Sequence, residues 1–180
     1  MEDDLNEMFQ TNVVGNIRLF NLFLPLIKNG KTKKVVTISS GMTDEKLAVQ
    51  YEIWEGALYS ITKSATNMVT VKFQAEFKKE GIIFMGVCPG NVDTGHHDNR
   101  KYAVREAYYR ILISAICTVT PDNLQKLMAM SGKFVAYAPH FRGMATTDEA
   151  ACDVLSVIHK ATMEANGGKL VSHLGNKQWL

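Results

Sequence analysis

The sequence predicts an α/β fold in which a short parallel sheet of about three strands is flanked by helices. Apolar residues recur every three or four positions in several long stretches, and short β-branched or apolar runs lie between these stretches. Such alternation of helix and strand is typical of parallel strands joined by right-handed crossovers. Because 180 residues with 46% hydrophobic content suit one compact core, we expect a single domain over residues 1–180.

The first elements are a long helix and a buried strand. The helical spacing runs over residues 3–28, and Pro25 is expected to kink or end that helix. The β-branched run at residues 35–38 predicts a strand that is covered on both faces. Residues 42–56 show no clear period, so we expect a loop or irregular turn there.

The next helix and strand repeat this arrangement. Helical spacing returns at residues 57–79, and Gly81 is expected to end that helix. The apolar run at residues 82–87 predicts the second strand, and Pro89-Gly90 breaks it. A second helix and strand therefore follow the first pair.

The rest of the chain divides into a loosely patterned segment and a final helix and strand. Residues 95–145 are interpreted as an irregular or helical cover over a site, with helical stretches at 103–117 and from Pro121. A capping box from Thr146 to Glu149 predicts a final helix that ends near Gly167. Residues 169–174 are the predicted third strand.

Composition excludes several classes of function. The net charge of +2 is too small to favour nucleic acid or an anionic membrane surface, and no apolar run reaches membrane-spanning length. The first residues do not resemble a signal peptide, and three widely spaced cysteines suit free thiols, so we expect a cytoplasmic protein. His96 and His97 lack a third ligand at a suitable spacing, so no metal site is expected.

Polar residues at the predicted strand ends mark the candidate chemistry. Ser39 and Ser40 follow the first strand, and ligands of parallel sheets bind at the carboxyl ends of strands. Tyr59 and Lys63 lie four residues apart on one face of the next helix. We expect the Lys63 cation to lower the Tyr59 pKa, so that the phenol transfers protons near neutral pH.

Four motifs, in order along the chain, resemble those of the short-chain dehydrogenase/reductase family. They are Asn12 in Thr11-Asn12-Val13-Val14-Gly15, Ser40 at a strand end, Tyr59-x-x-x-Lys63, and Pro89-Gly90-Asn91-Val92-Asp93-Thr94. The resemblance covers nearly the whole chain and implies a truncated Rossmann-like three-layer fold, equivalent to the catalytic, C-terminal half of the family.

The resemblance also implies roles for individual residues. Tyr59 would be the general acid/base, Lys63 would lower its pKa and hold a ribose, and Ser40 would position the reacting oxygen. Asn12 would anchor a proton-relay water through its helix.

A cofactor-facing segment is implied at the second strand end. Pro89 and Gly90 would approach a nicotinamide, with Val92 contributing backbone and Thr94 its side chain. Either Ser39 or Ser40 has a suitable position for the functional hydroxyl, because the gap to Tyr59 is longer than is usual in the family; Ser40 is preferred.

The Gly-rich turn that binds pyrophosphate in this architecture does not occur before Asn12. We therefore expect no tightly bound cofactor, with NAD(P) as the alternative. The favoured function is proton-transfer chemistry on a small carbonyl or enol substrate without a dinucleotide: isomerisation, aldol or retro-aldol reaction, or cyclisation. The alternatives are an NAD(P)H-dependent ketone or alcohol oxidoreductase completed by a partner or by missing sequence, and a non-catalytic dimerisation module.

A homodimer or larger homo-oligomer is expected for a separate reason. The strand at residues 35–38 would have an unpaired apolar edge, and such edges favour association. In the family that the chain resembles, the helices corresponding to residues 3–28 and 57–79 form the main dimer contact.

Overall fold

The computed structural model describes residues 2–94, 121–141 and 143–180. Within them, three parallel strands form one sheet in the order β1-β2-β3, with bounds β1 (Lys34–Ile38), β2 (Ile83–Cys88) and β3 (Leu170–Ser172). Val36 pairs with Met85, and Val87 pairs with Val171. The predicted α/β fold with a short parallel sheet is confirmed.

Seven α-helices surround this sheet in the described residues. Their bounds are α1 (Glu2–Phe9), α2 (Gly15–Asn29), α3 (Glu45–Gln50), α4 (Ala57–Phe77), α5 (Pro121–Tyr137), α6 (Thr147–Lys160) and α7 (Met163–Asn166).

The central strand β2 is buried along its whole length and separates two apolar layers. On one side Phe84 packs with Phe20 of α2 and Phe77 of α4. On the other side Met85 and Val87 pack with residues of α6, including Val154 and Val157. Because alternate side chains of a strand point to opposite faces, the six-residue run serves both layers and gives the three-layer fold.

A single glutamine joins α4 to the start of the central strand. The Gln74 side chain accepts a hydrogen bond from the Phe84 N–H at 2.9 Å and donates one to the Ile82 carbonyl at 3.1 Å. Both Phe84 and Ile82 have no exposed surface. Gln74 therefore satisfies backbone groups of a strand that would otherwise be buried without these partners.

The first predicted helix, residues 3–28, is divided into two α-helices in the structure. A π-helical segment, Gln10–Val14, separates α1 from α2. The Asn12 carbonyl accepts from the Asn16 side chain at 2.6 Å and from the Thr66 hydroxyl at 2.9 Å, so side chains replace the usual helical donor there. Pro25 lies inside α2 and does not end it.

Some predicted boundaries and one predicted loop are wrong. The segment 42–56 contains α3, because the Asp44 carboxylate accepts from the Lys46 and Leu47 N–H groups and caps it. The second strand begins and ends one residue later than predicted.

The final helix has the predicted capping box at Thr146 but not the predicted end. It stops at Lys160, and Gly167 follows the short helix α7 instead. The third strand is limited to Leu170–Ser172. Residues from Pro121 are helical, whereas the segment just before Pro121, the predicted helix at 103–117, and His96 and His97 lie outside the described residues.

Candidate active site

The carboxyl ends of β1 and β2 meet at the candidate site. The Ser39 N–H donates to the Val87 carbonyl at 2.8 Å, which extends the pairing of the two strands by one residue. The Gly41 N–H then donates to the Cys88 sulfur at 3.1 Å. Ser40 is therefore held beside Cys88 at the edge where parallel sheets bind ligands.

Ser40 and Ser39 face different partners. The Ser39 hydroxyl is almost fully buried and donates to the Asn67 side-chain oxygen at 2.6 Å. The Ser40 hydroxyl is partly exposed, accepts from the Met42 N–H at 3.1 Å, and interacts with the Tyr59 side chain in the direction that lowers the Tyr59 pKa. The structure thus brings Ser40, and not Ser39, to the tyrosine.

Lys63 lies one helical turn beyond Tyr59 on α4. Its ammonium donates to the Ile38 carbonyl at 2.8 Å and lies 5.6 Å from the centroid of the Tyr59 ring. Partial burial lowers the Lys63 pKa below its usual value. The cation is therefore bound to the end of β1 and lies near the Tyr59 ring.

The Tyr59 pKa differs in direction from the expectation. Burial raises the pKa of Tyr59 above its usual value, the hydrogen bond with Ser40 opposes this, and the charge of Cys88 adds to the increase. The expected lowering by Lys63 is wrong for this arrangement, because desolvation of the phenolate dominates. Tyr59 is a neutral phenol at neutral pH and is suited to donate a proton.

Asn12 lies in the π-helical segment and contacts α4. Its side-chain amide donates to the Thr62 hydroxyl at 3.0 Å, and Thr62 donates to the Tyr59 carbonyl at the same distance. Asn12 is thus connected to the backbone of the tyrosine through Thr62, rather than to the Lys63 ammonium. Its contacts position the first turns of α4.

The Pro89–Thr94 segment crosses the end of β2. Gly90 has φ of 83°, and a Cβ there would lie 2.9 Å from the His173 ring. Beyond it, the backbone of Asn91 and Asp93 pairs with Ala145, which places Val92 in an isolated parallel bridge.

His173, just after β3, was not predicted from the sequence as a site residue. Its Nδ1 is buried without a hydrogen-bond partner among the described residues. Burial lowers the His173 pKa, and Asp153 opposes this change. His173 lies one residue after the end of β3, a position that would have marked it as a candidate. The sequence predicted a strand up to residue 174, so His173 was assigned to the strand.

Thr94, predicted to face a cofactor, is exposed at the last described position before residue 121.

A cavity of about 190 Å³ opens beside Ser40 and Cys88. Gly90 and Asn91 of the predicted segment also line it, and the walls that the sequence did not identify include Met130 and Phe134 of α5, and Trp179 and Leu180. Trp179 packs directly on Gly41, where a Cβ would lie 2.5 Å from the indole. The glycine after Ser40 was the available signal, because only a residue without a side chain admits such an approach.

The described residues show only part of what a nicotinamide dinucleotide needs. Tyr59 and Lys63 lie beside the end of β1, but the space in front of Gly90 is taken by the His173 ring. Among these residues, moreover, no strand leads through a Gly-rich turn into a helix N-terminus, which is the element that binds pyrophosphate.

Within the described residues, no cluster of three His, Cys, Asp or Glu residues is placed to hold a metal ion. No helix of this part of the chain has the length and apolarity needed to cross a membrane.

Comparisons with known proteins place the chain in a family. The sequence profile described as short chain dehydrogenase matches residues 1–104. The chain is 40% identical over 181 residues to the short chain dehydrogenase virK of Hypocrea virens, and 40% identical over 181 residues to the short-chain dehydrogenase/reductase iacC of Pestalotiopsis fici. Each alignment covers 100% of this chain and 60% of the relative.

Solved structures show the same fold at lower identity. The NADPH-bound carbonyl reductase from chicken fatty liver has a TM-score of 0.66 and 17% identity, over 98% of this chain and 57% of that chain. The carbonyl reductase Sniffer of D. melanogaster has a TM-score of 0.63, with the same coverage of both chains. The profile match extends over more than half of the sequence, and it includes Ser40, Tyr59 and Lys63. The chain belongs to the short chain dehydrogenase family.

Proposed function

We propose that this chain carries the proton-transfer and substrate-binding part of a carbonyl/alcohol oxidoreductase. The observation that carries the proposal is the placement of Ser40 at the end of β1, where Lys63 binds the Ile38 carbonyl and lies 5.6 Å from the centroid of the Tyr59 ring. Ser40 and Cys88 line the adjoining cavity, so a carbonyl oxygen placed there lies within reach of the Ser40 hydroxyl.

In the reductive direction, Tyr59 donates its proton to the carbonyl oxygen while Ser40 orients that oxygen. A reduced nicotinamide, when bound, supplies the hydride that adds to the carbonyl carbon. The Ser40 hydrogen bond, which lowers the Tyr59 pKa, stabilises the phenolate that remains until a proton returns from solvent. Lys63 adds a positive charge near the ring face. One proton and one hydride balance the conversion of ketone to alcohol.

Enol chemistry without a dinucleotide is the second candidate. The same phenol would protonate or deprotonate an enol oxygen during isomerisation, aldol or retro-aldol reaction, or cyclisation. This candidate needs only the Ser40 and Tyr59 hydroxyls and no pyrophosphate-binding turn. The chain spans 60% of the length of its relatives, so a dinucleotide could also be completed by residues outside this sequence.

The replacement Tyr59→Phe tests both candidates. We expect turnover of a neutral aryl ketone to fall about 10²–10⁴-fold, since general acid catalysis contributes about that much. Rates are measured with NADPH, with NADH and without nucleotide, and a titration of each nucleotide reports its binding. Activity only with nucleotide supports the oxidoreductase, and activity without it supports the enol reaction.

Tyr51→Phe is the matched control, because Tyr51 packs on Tyr137 outside the Ser40–Tyr59 pair. We expect its rate to remain near that of the unmodified chain. An unchanged rate in Tyr59→Phe would contradict a proton-transfer role for this tyrosine.

We also propose self-association through the outer faces of α2 and α4. Leu22 and Leu26 of α2 and Met68 of α4 are more than half exposed, although most side chains of this size are buried in a monomer. An apolar face shared by two neighbouring helices favours a second copy of the chain as partner. Sedimentation over a range of concentrations tests this, and a mass that stays monomeric throughout would contradict it.

A further inference from the structure

Asn67 continues the row of α4 side chains that begins with Tyr59 and Lys63. The three residues follow one another at intervals of four positions, so they lie along one side of the helix. Lys63 donates to the Ile38 carbonyl at the end of β1. Asn67, one turn further along, contacts the chain just beyond that point.

The Asn67 amide uses both its oxygen and its nitrogen. The oxygen accepts from the Ser39 hydroxyl at 2.6 Å, and the nitrogen donates to the Thr43 hydroxyl at 3.0 Å. Ser39 precedes Ser40 directly, and Thr43 follows it by three residues. One side chain of α4 therefore holds the turn that carries Ser40 from both sides.

Thr43 extends this contact to Ser40 itself. Its hydroxyl donates to the Ser40 carbonyl at 2.8 Å, and its N–H donates to the same carbonyl at 3.2 Å. A threonine hydroxyl has one proton, so it can donate to Ser40 only if its partner on α4 is a donor. The Asn67 nitrogen meets this requirement and leaves the Thr43 proton to the Ser40 carbonyl.

We propose that Asn67 is a positioning residue that holds the Ser40 hydroxyl in place through Thr43. The inference rests on the proposed function and adds a member to the same site. The Ser40 hydroxyl accepts from the Met42 N–H within this turn, so a shift of the turn shifts the hydroxyl. Misplacement of a group at a reacting centre by about 1 Å can lower the rate about a hundredfold.

A purely structural role would need only half of this arrangement. Ser39 is almost fully buried, and its hydroxyl is satisfied by the Asn67 oxygen alone. The donation from the Asn67 nitrogen to Thr43 serves the Ser40 turn instead. The variants that decide between the two roles therefore act on Thr43 as well as on Asn67.

The Tyr59 pKa is the readout, because it responds to Ser40 without substrate or nucleotide. Ser40 lowers the Tyr59 pKa, so a displaced Ser40 hydroxyl should leave that pKa higher. The chain is isotope-labelled at Cζ of its tyrosines, and the Tyr59 signal is identified by its loss in Tyr59→Phe. An NMR titration with base then gives the Tyr59 pKa, and the other signals report that the chain remains folded.

Three replacements test the path from Asn67 to Ser40. Asn67→Leu removes both bonds at similar size, Thr43→Val removes the hydroxyl, and Thr43→Ser keeps it. We expect the first two to raise the Tyr59 pKa by about half or more of the shift seen in Ser40→Ala, and Thr43→Ser to leave it unchanged. Turnover should fall at least about tenfold in the first two and stay near the original in Thr43→Ser.

Thr70→Val is the matched control for Thr43→Val. The Thr70 hydroxyl lies 3.2 Å from the Thr37 hydroxyl, so its removal also loosens a contact between α4 and β1. We expect lower stability but an unchanged Tyr59 pKa. Cys88 and Lys63, the titratable groups near Tyr59 among the described residues, are retained in every variant.

A double replacement shows whether Asn67 acts through Ser40. In the Ser40→Ala chain the hydroxyl is gone, so adding Asn67→Leu should not change the Tyr59 pKa further. The inference is overturned if Asn67→Leu leaves this pKa unchanged in the original chain, or shifts it equally in both chains. An equal shift in Thr70→Val also overturns it.

The Thr43 pair keeps the test decisive if Asn67→Leu does not fold. Equal Tyr59 pKa values in Thr43→Val and Thr43→Ser would then overturn the inference. The proposed function has a separate outcome, because unchanged turnover in Tyr59→Phe would remove it. The pKa shifts in the Asn67 and Thr43 variants would still establish how Ser40 is held.

Discussion

The two faces of α4 reverse the usual pattern of an amphipathic helix. The buried residues of the inner face are mostly polar, namely Thr62, Thr66, Thr70, Gln74 and Phe77. The outer face exposes apolar side chains, namely Ile61, Met68 and Val71. A typical amphipathic surface helix shows the opposite distribution.

The difference separates two tasks of the same helix. The inner face holds neighbouring backbone in place. Gln74 binds the Phe84 N–H and the Ile82 carbonyl. Thr62 accepts from the Asn12 side chain and donates to the Tyr59 carbonyl. The outer face makes no comparable bonds and is suited to contact another apolar surface. Stability of the fold should therefore depend on the inner face, and assembly on the outer one.

The largest expected effect on stability is at the inner face. Gln74→Leu leaves the Phe84 N–H and the Ile82 carbonyl without their side-chain partner in a fully buried position. An unsatisfied buried group costs about 1–3 kcal/mol, so we expect the free energy of unfolding to fall by about 3 kcal/mol. Urea denaturation of the original chain and of Gln74→Leu measures this difference in the free energy of unfolding.

Glu76→Gln, two residues along on the exposed surface of α4, is the control for this change. We expect its unfolding free energy to stay within about 0.5 kcal/mol of the original. Equal stability of the two variants would mean that the polar inner face does not hold the sheet.

An intermediate effect is expected at the outer face. Met68→Glu places a charge on the proposed contact surface and removes an apolar side chain whose burial contributes about 2 kcal/mol per copy. Sedimentation should show a shift from dimer to monomer at the same concentration, with little change in the urea midpoint. Val49→Glu adds the same charge at an exposed site on α3 and should leave the mass unchanged. A matching shift in both variants would contradict the assigned surface.

The smallest expected effect is a change in the Tyr59 pKa when Ser40, in the turn after β1, is replaced. The Ser40 hydrogen bond lowers the Tyr59 pKa, so Ser40→Ala should raise that pKa further. Reduction requires the protonated phenol, and its rate is constant below the Tyr59 pKa and falls as pH rises through it. The alkaline limb of the rate profile should therefore move to higher pH in Ser40→Ala.

Ser39→Ala serves as the comparison, because the Ser39 hydroxyl binds Asn67 instead of Tyr59. Its alkaline limb should remain where it is in the original chain. A limb that moves to lower pH in Ser40→Ala, or moves equally in both variants, would reject the assignment of Ser40.

Much of the fold could be predicted from the sequence because its signals are local. Apolar period, glycine and proline breaks, and the Thr146 capping box each act within a few residues. The errors arose where side chains replaced backbone bonds, as at Asn12 in the π-helical segment and at Asp44 before α3. A hydrophobicity pattern carries no information about such caps.

The candidate site was predictable only in part. Ser40, Tyr59 and Lys63 follow one another in a recognisable order, and the structure brings them together. The Tyr59 pKa could not be predicted, because it depends on how deeply the ring is buried and on the nearby Cys88. Trp179 reaches Gly41 from far along the chain, a contact that no local spacing reveals.

The bond between Gln74 and the Phe84 N–H has a consequence for hydrogen exchange. Most amides of a central strand exchange only when strands separate, but this one is protected by a side chain of α4. Its exchange rate therefore reports how often α4 detaches from the sheet. Since α4 also carries Tyr59 and Lys63, this one amide of the central strand provides a measure of how firmly the helix of the proposed proton donor is held.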